Sequence, residues 1–485
     1  MGDAGSPARG GTMDIRHVVV LMLENRSFDC MLGMLYPNSD KFDGLVGTEF
    51  NPWHKPDGTQ QNIQVWKDPA LTAQTVCIPD PDPGELFTDI HMQLHGLAAD
   101  GSVKTTGPDM SGFVDNYMRQ PATSPTPDPY SPMHYFTPDQ VPVISQLARA
   151  FGVSDRWHAS APCQTWPNRF FVHTGTAAGY VNNAPSHFPY TMPTVFNRLS
   201  SVNQTWQVYF HDIPQSATLT ELWEHTLTNF SNFETDFARD AAGGKLPAYS
   251  FIEPRYFTDS VLNKIPNDAH PPHNVAYSEA LIASVYNAVR SGPGWPQTLL
   301  IITCDEHGGC YDHVPPPPAT SPDVLRPDGF DFGYFGVRVP AVIVSPYVRA
   351  GSVIRPAGPT PFDHTSIIAT LRKLFNFAPL TERDKAAPDL LAVLDAEAGN
   401  AGPAAVTAPA IPPAPAQVAR AAAKPPNDLQ NSLSALAVQL PTVGADIGAH
   451  IQRLISVPDV VPVHATVGEA AASVLGHMQA FLGRQ

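Results

Sequence analysis

The sequence is poor in cysteine, in basic residues and in long apolar runs, and each shortage excludes a class of protein. Five cysteines scattered over 485 residues are too few for a disulfide framework and match no zinc motif. Lysine and arginine total 29 against 45 aspartate and glutamate residues, so the net charge of −16 argues against nucleic-acid binding and against simple adsorption to anionic lipid. No apolar run is long enough for a transmembrane segment.

Targeting information is scarce as well. Residues 1–12 are small and have no apolar core, so no signal peptide is visible and we expect a flexible N-terminal segment. The compartment is left open by these features.

Apolar residues and proline, by contrast, are plentiful. The hydrophobic fraction of 43%, with 24 phenylalanines, is sufficient for a large folded core. Apolar runs alternate with helical patterns, which is typical of an α/β protein with a doubly wound, mainly parallel sheet. The predicted strands are 15–23, 206–210, 248–252, 299–302 and 340–344, and the clearest helices are 275–290 and 365–375.

Composition divides the rest of the chain. Residues 51–140 are rich in proline, aspartate and glycine and predict a loop-rich insertion that walls the ligand edge of the sheet. Residues 399–427 form an alanine- and proline-rich linker, predicted to be extended and semi-rigid. Residues 428–485 contain three helix-like pieces that could dock on the main domain, 13–398, or mediate oligomerisation.

The most informative stretch is TLLIITCDEHGGCYDHVPPP, residues 298–317. A buried strand ends there in Asp305, Glu306 and His307, and Asp312 and His313 follow a glycine pair. Open α/β sheets bind ligands just beyond the carboxyl ends of their strands, and carboxylates at such a place suit a cation. The alternative is a polar junction in which the acids only cap the backbone.

Three more clusters flank predicted elements. Glu24 and Asn25 follow the first strand and offer two oxygen ligands, or else an N-cap and an acid in the first turn. Thr165 lies near a predicted helix start, where backbone N–H groups favour a phosphate and a hydroxyl could act as a nucleophile; it could also be a simple cap. Arg169 could clamp the anion through two hydrogen bonds.

The remaining candidates are histidines and an aspartate before helices. His270 and His273 flank a proline pair and suit proton transfer or phosphate contact, although either alone could be structural. Asp363 and His364 could bind substrate or cap the next helix. Acids for a cation, a hydroxyl at a helix start and histidines for proton transfer together favour phosphoryl transfer through a covalent intermediate.

Seven motifs, in the expected order over about residues 13–385, give a specific resemblance. They are ENRSFDCMLG (24–33), MSGFVDNY (110–117), PCQTWPNRFFVHTGT (162–176), NDAHPPHNV (267–275), CDEHGGCYDHVPPP (304–317), RVPAVIVSP (338–346) and DHTSI (363–367). The chain resembles the phosphoesterase family that contains bacterial phospholipases C, plant non-specific phospholipases C and a group of bacterial acid phosphatases.

The resemblance implies a fold similar to alkaline phosphatase and the arylsulfatases, with the catalytic domain at 13–398. It implies one divalent ion (Ca, Zn, Mn or Mg) and Thr165 as the nucleophile that is transiently phosphorylated. His270 and His364 match phosphate-contacting or proton-donating positions, and His307 matches a residue that supports the site and could contact the substrate. The implied metal ligands are Glu24, Asn25, Asp305 and Glu306. Asp312 and His313 are then left with supporting or loop-fixing roles.

The chain departs from the family pattern in places. DPGELF (82–87) lacks the histidine often found after that glycine, and Cys304 stands where an aromatic residue is common. Threonine at 165 resembles the plant phospholipases, whereas the acid phosphatases often have serine. The long β-rich C-terminal domains of the large haemolytic phospholipases are not matched by residues 399–485.

These observations predict a metal-dependent phosphoric-ester hydrolase, most simply a phospholipase C that acts on phospholipid. An acid phosphatase acting on small phosphomonoesters is the alternative, and a non-catalytic lipid- or anion-binding protein is a further one. A sulfatase is disfavoured because Thr165-Trp-Pro-Asn-Arg has no cysteine or serine to convert to an aldehyde. Many relatives are secreted or periplasmic.

Overall fold

A computed structural model describes residues 13–72, 74–121, 125–409, 414–456 and 462–483. The predicted flexible segment 1–12 lies outside the described residues. The described strands are His17–Leu23 (β1), Phe50–His54 (β2), Gln60–Gln64 (β3), Gly152–Ser154 (β4), Trp206–Phe210 (β5), Phe230–Asn232 (β6), Tyr249–Ile252 (β7), Thr298–Cys304 (β8), Ala341–Val344 (β9) and Ser352–Val353 (β10).

Eight strands form one sheet in the order β10-β4-β9-β8-β1-β7-β5-β6. All neighbouring pairs are parallel except those made by β9, which runs antiparallel to both β8 and β4. The centre is the pair β1 and β8, in register from His17 opposite Thr298 to Leu23 opposite Cys304. Both strands are apolar and almost wholly buried because helices cover both faces of the sheet. The predicted mainly parallel α/β sheet is confirmed.

The helices fall into two packing groups, as a doubly wound sheet requires. The described α-helices are Phe28–Leu32 (α1), Phe87–His95 (α2), Phe113–Arg119 (α3), Pro142–Ala150 (α4), Thr165–Thr174 (α5), Val195–Ser201 (α6), Thr226–Asn229 (α7), Ala238–Ala242 (α8), Val275–Ser291 (α9), Thr365–Phe375 (α10), Glu382–Ala386 (α11), Pro415–Ala422 (α12), Asp428–Gln439 (α13), Ile447–Ser456 (α14) and Val467–Leu482 (α15). Helix α9 packs with α4 and α8, and α5 packs with α6 and α10.

The loop-rich insertion has its own small core. It contains the β2–β3 hairpin and the helices α2 and α3, which bury Ile63, Ile90 and Phe113 together. Two of its side chains reach the carboxyl edge of the main sheet: Glu85 bonds to Asn25, and Gln93 bonds to His307. The insertion therefore walls that edge, as the sequence predicts.

The C-terminal segment packs on the main body. Leu429 and Leu433 of α13 are buried in the main hydrophobic core, and Gln430 Nε2 donates to the carbonyl oxygen of Tyr256 at 2.8 Å. Before it, the residues predicted as linker include α12, and Val406 is buried with its N–H donating to Asn287 of α9. The domain boundaries and oligomerisation through residues 428–485 stay predictions.

None of the described helices combines the length and the apolarity that crossing a bilayer requires.

Candidate active site

The carboxyl ends of β1 and β8 place the pair Glu24-Asn25 next to the pair Asp305-Glu306. The N–H of Asp305 donates to the carbonyl oxygen of Leu23 at 3.1 Å, and the N–H of Asn25 donates to Asp305 Oδ1 at 3.2 Å. Glu24, Asn25, Asp305 and Glu306 are all completely buried. The parallel β1–β8 register is the cause, since residues that follow adjacent parallel strands emerge at the same edge.

A tight glycine turn lets the two strand ends approach. Gly308 has φ of +59°, and a Cβ atom there would lie 2.4 Å from the carbonyl oxygen of Asn25. Asn25 itself has φ of +37°, a conformation that asparagine tolerates better than most residues. A side chain at position 308 would therefore push Asn25 away from Asp305.

Thr165 is the first residue of α5 and faces this acidic edge. Its hydroxyl donates to Glu24 Oε2 at 3.3 Å, and the residue is fully buried. The helix begins at Thr165 itself, and Pro167 lies inside its first turn. The predicted position of Thr165 at a helix N-terminus is thus observed, while its role as nucleophile stays a prediction.

Arg169 lies one helical turn beyond Thr165 and points the same way. Its Nη2 donates to Glu24 Oε1 at 2.5 Å, and its Nε lies 3.5 Å from Asp305 Oδ2. This arrangement differs from the predicted anion clamp, because the guanidinium is buried against the acids rather than directed outward. Arg169 compensates the charge of two carboxylates that burial would otherwise make costly.

Several buried polar atoms at this edge have no hydrogen-bond partner among the described residues. They include Asn25 Oδ1, Asp305 Oδ2 and Glu306 Oε1. A buried oxygen without a donor costs free energy, so such atoms usually face a ligand. Carboxylate and amide oxygens without a protein donor are the type of ligand atom that a divalent cation prefers. These residues fit the metal ion that the family resemblance implies, and its identity is open.

His270 lies at the same edge, in the loop before α9. Its Nδ1 donates to the carbonyl oxygen of Pro271 at 2.6 Å, and its Nε2 lies 3.6 Å from Glu85 Oε1 without a hydrogen-bond partner among the described residues. Burial by itself would lower the pKa of His270, but the carboxylates of Asp82 and Glu85 raise it well above its usual value. A protonated imidazole is the form that can donate a proton.

His273 is linked to Glu24 only indirectly, through Asp268. Its Nδ1 lies 2.7 Å from Asp268 Oδ1, and the carbonyl oxygen of Asp268 accepts from the N–H of Glu24 at 2.7 Å. The imidazole is partly exposed. Its contact with substrate stays a prediction.

His364 and Asp363 are engaged by protein groups. His364 Nε2 donates to the carbonyl oxygen of Asp305 at 2.6 Å, and its Nδ1 accepts from Trp157 at 3.4 Å. Asp363 accepts from Ser160 at 2.8 Å and from Thr365 at 2.6 Å. Both residues brace the loop that carries Asp305 or the start of α10, and their proton-transfer and substrate-binding roles stay predictions.

His307 supports the loop in the way the resemblance implies. Its Nε2 donates to Gln93 Oε1 at 2.7 Å, and its Nδ1 lies 3.2 Å from Glu306 Oε2. Burial lowers the pKa of His307 to about 4, so the ring is neutral. It joins the insertion to the acidic loop, and direct substrate contact stays a prediction.

Sequence reasoning missed three residues of the site. Glu253 directly follows β7 and lies 4.0 Å from Arg169, so the rule that located Glu24 and Asp305 would also have found it. Gln215 donates to Glu24 Oε1 at 2.7 Å from a short helical turn with no recognisable local pattern. Glu85 lies in the segment DPGELF (82–87), which the sequence distinguishes only by its lack of a histidine. Nothing in that segment indicates that Glu85 contacts Asn25 or His270.

Asp312 and His313 lie in a separate cluster. Arg338 donates to Asp312 Oδ1 at 2.9 Å and to Asp29 Oδ1 at 3.0 Å, and His313 Nδ1 donates to Asp29 Oδ2 at 2.6 Å. Although Asp29, Asp312 and His313 have potential ligand atoms close together, Arg338 already occupies the carboxylates. The cluster fixes the loop after β8, as the sequence analysis expects.

This cluster predicts a pH-dependent stability. Burial opposes the charge on His313, but hydrogen bonds to Asp29 and Asp43 raise its pKa to about 10. Its contribution is therefore complete below the unfolded pKa of about 6.5 and is lost as pH rises towards 10. We expect His313→Gln to lower the free energy of unfolding by on the order of 2 kcal/mol at pH 6.5 and by much less at pH 9.5. Urea unfolding at both pH values measures this, and a pH-independent difference would contradict it.

Known proteins match most of the length of this chain. Residues 15–378 match the Phosphoesterase family. Non-specific phospholipase C1 of Arabidopsis thaliana is 40% identical over 387 residues, covering 76% of this chain and 69% of that protein. Non-specific phospholipase C6 of the same plant is 38% identical, with 76% and 70% covered, and phospholipase C A of Mycobacterium tuberculosis is 27% identical, with 76% and 74% covered.

Solved structures add only weak likenesses. A protein in the alkaline phosphatase superfamily from Vibrio parahaemolyticus has a TM-score of 0.32 and 12% identity, covering 51% of this chain and 64% of that one. Similarity at this level adds nothing to what the sheet topology establishes.

A mainly parallel α/β sheet places its ligand site at the carboxyl ends of its strands, where Thr165, Glu24 and Asp305 lie in this chain. The family match makes the class specific: this chain belongs to the phosphoesterase family and is a phosphoric-ester hydrolase.

Proposed function

We propose that this protein is a metal-dependent phospholipase C-type phosphodiesterase that works through a phospho-threonine intermediate. The observation that carries the proposal is the hydrogen bond from Thr165 to Glu24, next to buried oxygens that lack protein donors. The relatives named phospholipase C support a phospholipid substrate, cleaved to diacylglycerol and a phosphorylated head group.

In the first half-reaction, Thr165 Oγ1 attacks phosphorus and its proton passes to Glu24 Oε2. The hydrogen bond from the Thr165 hydroxyl to Glu24 Oε2, at 3.3 Å, gives the proton a direct route to that carboxylate. As the new P–O bond forms, the bond to the alkoxide leaving group breaks. The protonated His270 then donates its proton to the departing alkoxide oxygen, so charge does not accumulate there.

In the second half-reaction, water replaces the alkoxide. The now neutral His270 accepts a proton from water, and the water oxygen attacks the phosphorus atom of the phosphorylated Thr165. The P–O bond to Thr165 breaks, and Thr165 recovers its proton from Glu24. Each residue thus returns to its starting state.

Glu24, Asn25, Asp305 and Glu306 would hold the divalent ion. When bound, the ion supplies positive charge that stabilises the phosphoryl oxygens and the Thr165 alkoxide. Ligands that are all oxygen favour Ca, Mg or Mn over Zn. Arg169 and Gln215 hold Glu24 in place from the protein side.

Two chromogenic esters with the same leaving group test the substrate class. We expect p-nitrophenylphosphocholine, a diester, to be turned over with a kcat/KM at least tenfold above that of p-nitrophenyl phosphate, a monoester. Release of diacylglycerol from phosphatidylcholine vesicles should accompany the diester activity. A preference for the monoester would instead favour the acid phosphatase alternative, and no turnover of either would favour a non-catalytic binding protein.

A further inference from the structure

Glu85 lies inside the active site without being one of the expected ligands or proton donors. It is 7% exposed, and its Oε1 accepts from Asn25 Nδ2 at 2.7 Å. The same oxygen lies 3.6 Å from His270 Nε2. One carboxylate thus lies between a proposed metal ligand and the proposed proton donor.

The atoms around Glu85 point to a ligand. Because Asn25 uses its amide nitrogen for Glu85, its Oδ1 is left without a partner among the described residues. His270 Nε2 is likewise without a hydrogen bond there, although His270 is fully buried. Both side chains are wholly buried, and each has a polar atom close to this carboxylate that makes no hydrogen bond with the described residues, as is usual where a ligand binds.

The charge balance indicates how Glu85 affects that ligand. Glu24, Asp305, Glu306, Glu253 and Glu85 are buried carboxylates, and Arg169 is the buried guanidinium that contacts three of them, so acidic groups outnumber basic ones at this edge. A phosphodiester then adds one negative charge and a phosphomonoester adds two. In a buried site, where screening is weak, each additional like charge is strongly disfavoured.

We propose that Glu85 is a specificity-determining residue, whose charge makes the site select phosphodiester monoanions over phosphomonoester dianions. This deepens the proposed function and rests on it. Asp82 extends the same wall, with Oδ1 lying 3.6 Å from His270 Nδ1.

The competing explanation is that Glu85 only positions Asn25 and His270. A positioning role would lower activity on every substrate by a similar factor. A specificity role changes the ratio between substrates that differ in charge alone. The ratio therefore separates the two explanations.

Methyl p-nitrophenyl phosphate and p-nitrophenyl phosphate provide that comparison, because they share a leaving group and differ by one methyl group and one charge. At pH 8 the monoester is a dianion. We expect Glu85→Gln, which keeps the size and an oxygen for Asn25, to raise the monoester-to-diester ratio of kcat/KM by about tenfold or more. A ratio that stays within twofold of wild type would overturn the proposal.

Asp428→Asn is the matched control. Asp428, at the start of α13, is an exposed acid. It is close enough to Asp82, Glu85 and His270 to interact with them electrostatically. Solvent screens it, so its removal should change the ratio less than threefold. An equal shift in Asp428→Asn and Glu85→Gln would show that general surface charge, and not Glu85, sets the preference.

Measurements of ligand binding test the proposal even if Glu85→Gln turns substrate over too slowly to assay. In a Thr165→Ala background at pH 8, calorimetry measures the Kd of inorganic phosphate and the Kd of dimethyl phosphate. We expect Glu85→Gln to shift the ratio of these two Kd values by about tenfold in favour of inorganic phosphate. Parallel changes for both ligands would overturn the proposal. The proposed function can fail independently of this proposal. Full turnover by Thr165→Ala would rule out Thr165 as the nucleophile, whatever the effect of Glu85→Gln.

Discussion

Thr165→Ala is expected to lower kcat by about 10⁴-fold or more on both monoester and diester substrates. The hydroxyl is the attacking group in the proposed reaction, and the other hydrogen-bond donors to Glu24, Arg169 and Gln215, carry no hydroxyl that could replace it. Steady-state release of p-nitrophenol measures the loss directly.

The control for this variant is Thr165→Ser, which keeps the hydroxyl and removes only a methyl group. We expect it to retain turnover within about a hundredfold of wild type. Alanine suits a helix start sterically, so the melting temperature should identify any loss that comes from misfolding. Thr165→Ala with wild-type activity and an unchanged melting temperature would contradict the nucleophile assignment.

The second large effect concerns Asp305. Asp305→Asn removes a negative charge at the centre of the proposed metal site, where Oδ2 lacks a hydrogen-bond donor among the described residues and Oδ1 orients Asn25 and Glu306. We expect the bound divalent ion to fall from about one per chain to below a tenth, and kcat/KM to fall by about 10³-fold. Elemental analysis of the purified protein measures the first, and diester turnover measures the second.

Asp331→Asn is the matched control, since Asp331 is an exposed acid in the same β8–β9 connection. It should leave metal content and turnover unchanged. Wild-type protein that is free of divalent ion after chelation but fully active would contradict metal dependence. Restored activity on adding back one cation would identify the ion.

The parts of the fold that the sequence predicts well are those that burial alone decides. Strands β1 and β8 are continuous apolar runs, so they could be located within about two residues. The strands β4 and β10 have only three and two residues, and such short runs carry no period. The antiparallel direction of β9 is set by its connection and its neighbours, which an apolar run does not encode.

The same distinction applies to the site. Acids that follow buried parallel strands converge because the sheet places them at one edge, and that rule located Glu24 and Asp305 correctly. The direction of a side chain on a helix depends on what the helix packs against, and this is why Arg169 was expected to face an anion but contacts Glu24. Gln215 reaches the site through tertiary structure alone.

The configuration at phosphorus tests the central claim most directly. A covalent phospho-threonine requires two displacements, each inverting phosphorus, so a substrate with an isotopically chiral phosphoryl group should give a product of retained configuration. Net inversion would mean that water attacks phosphorus directly, and it would contradict the proposed role of Thr165.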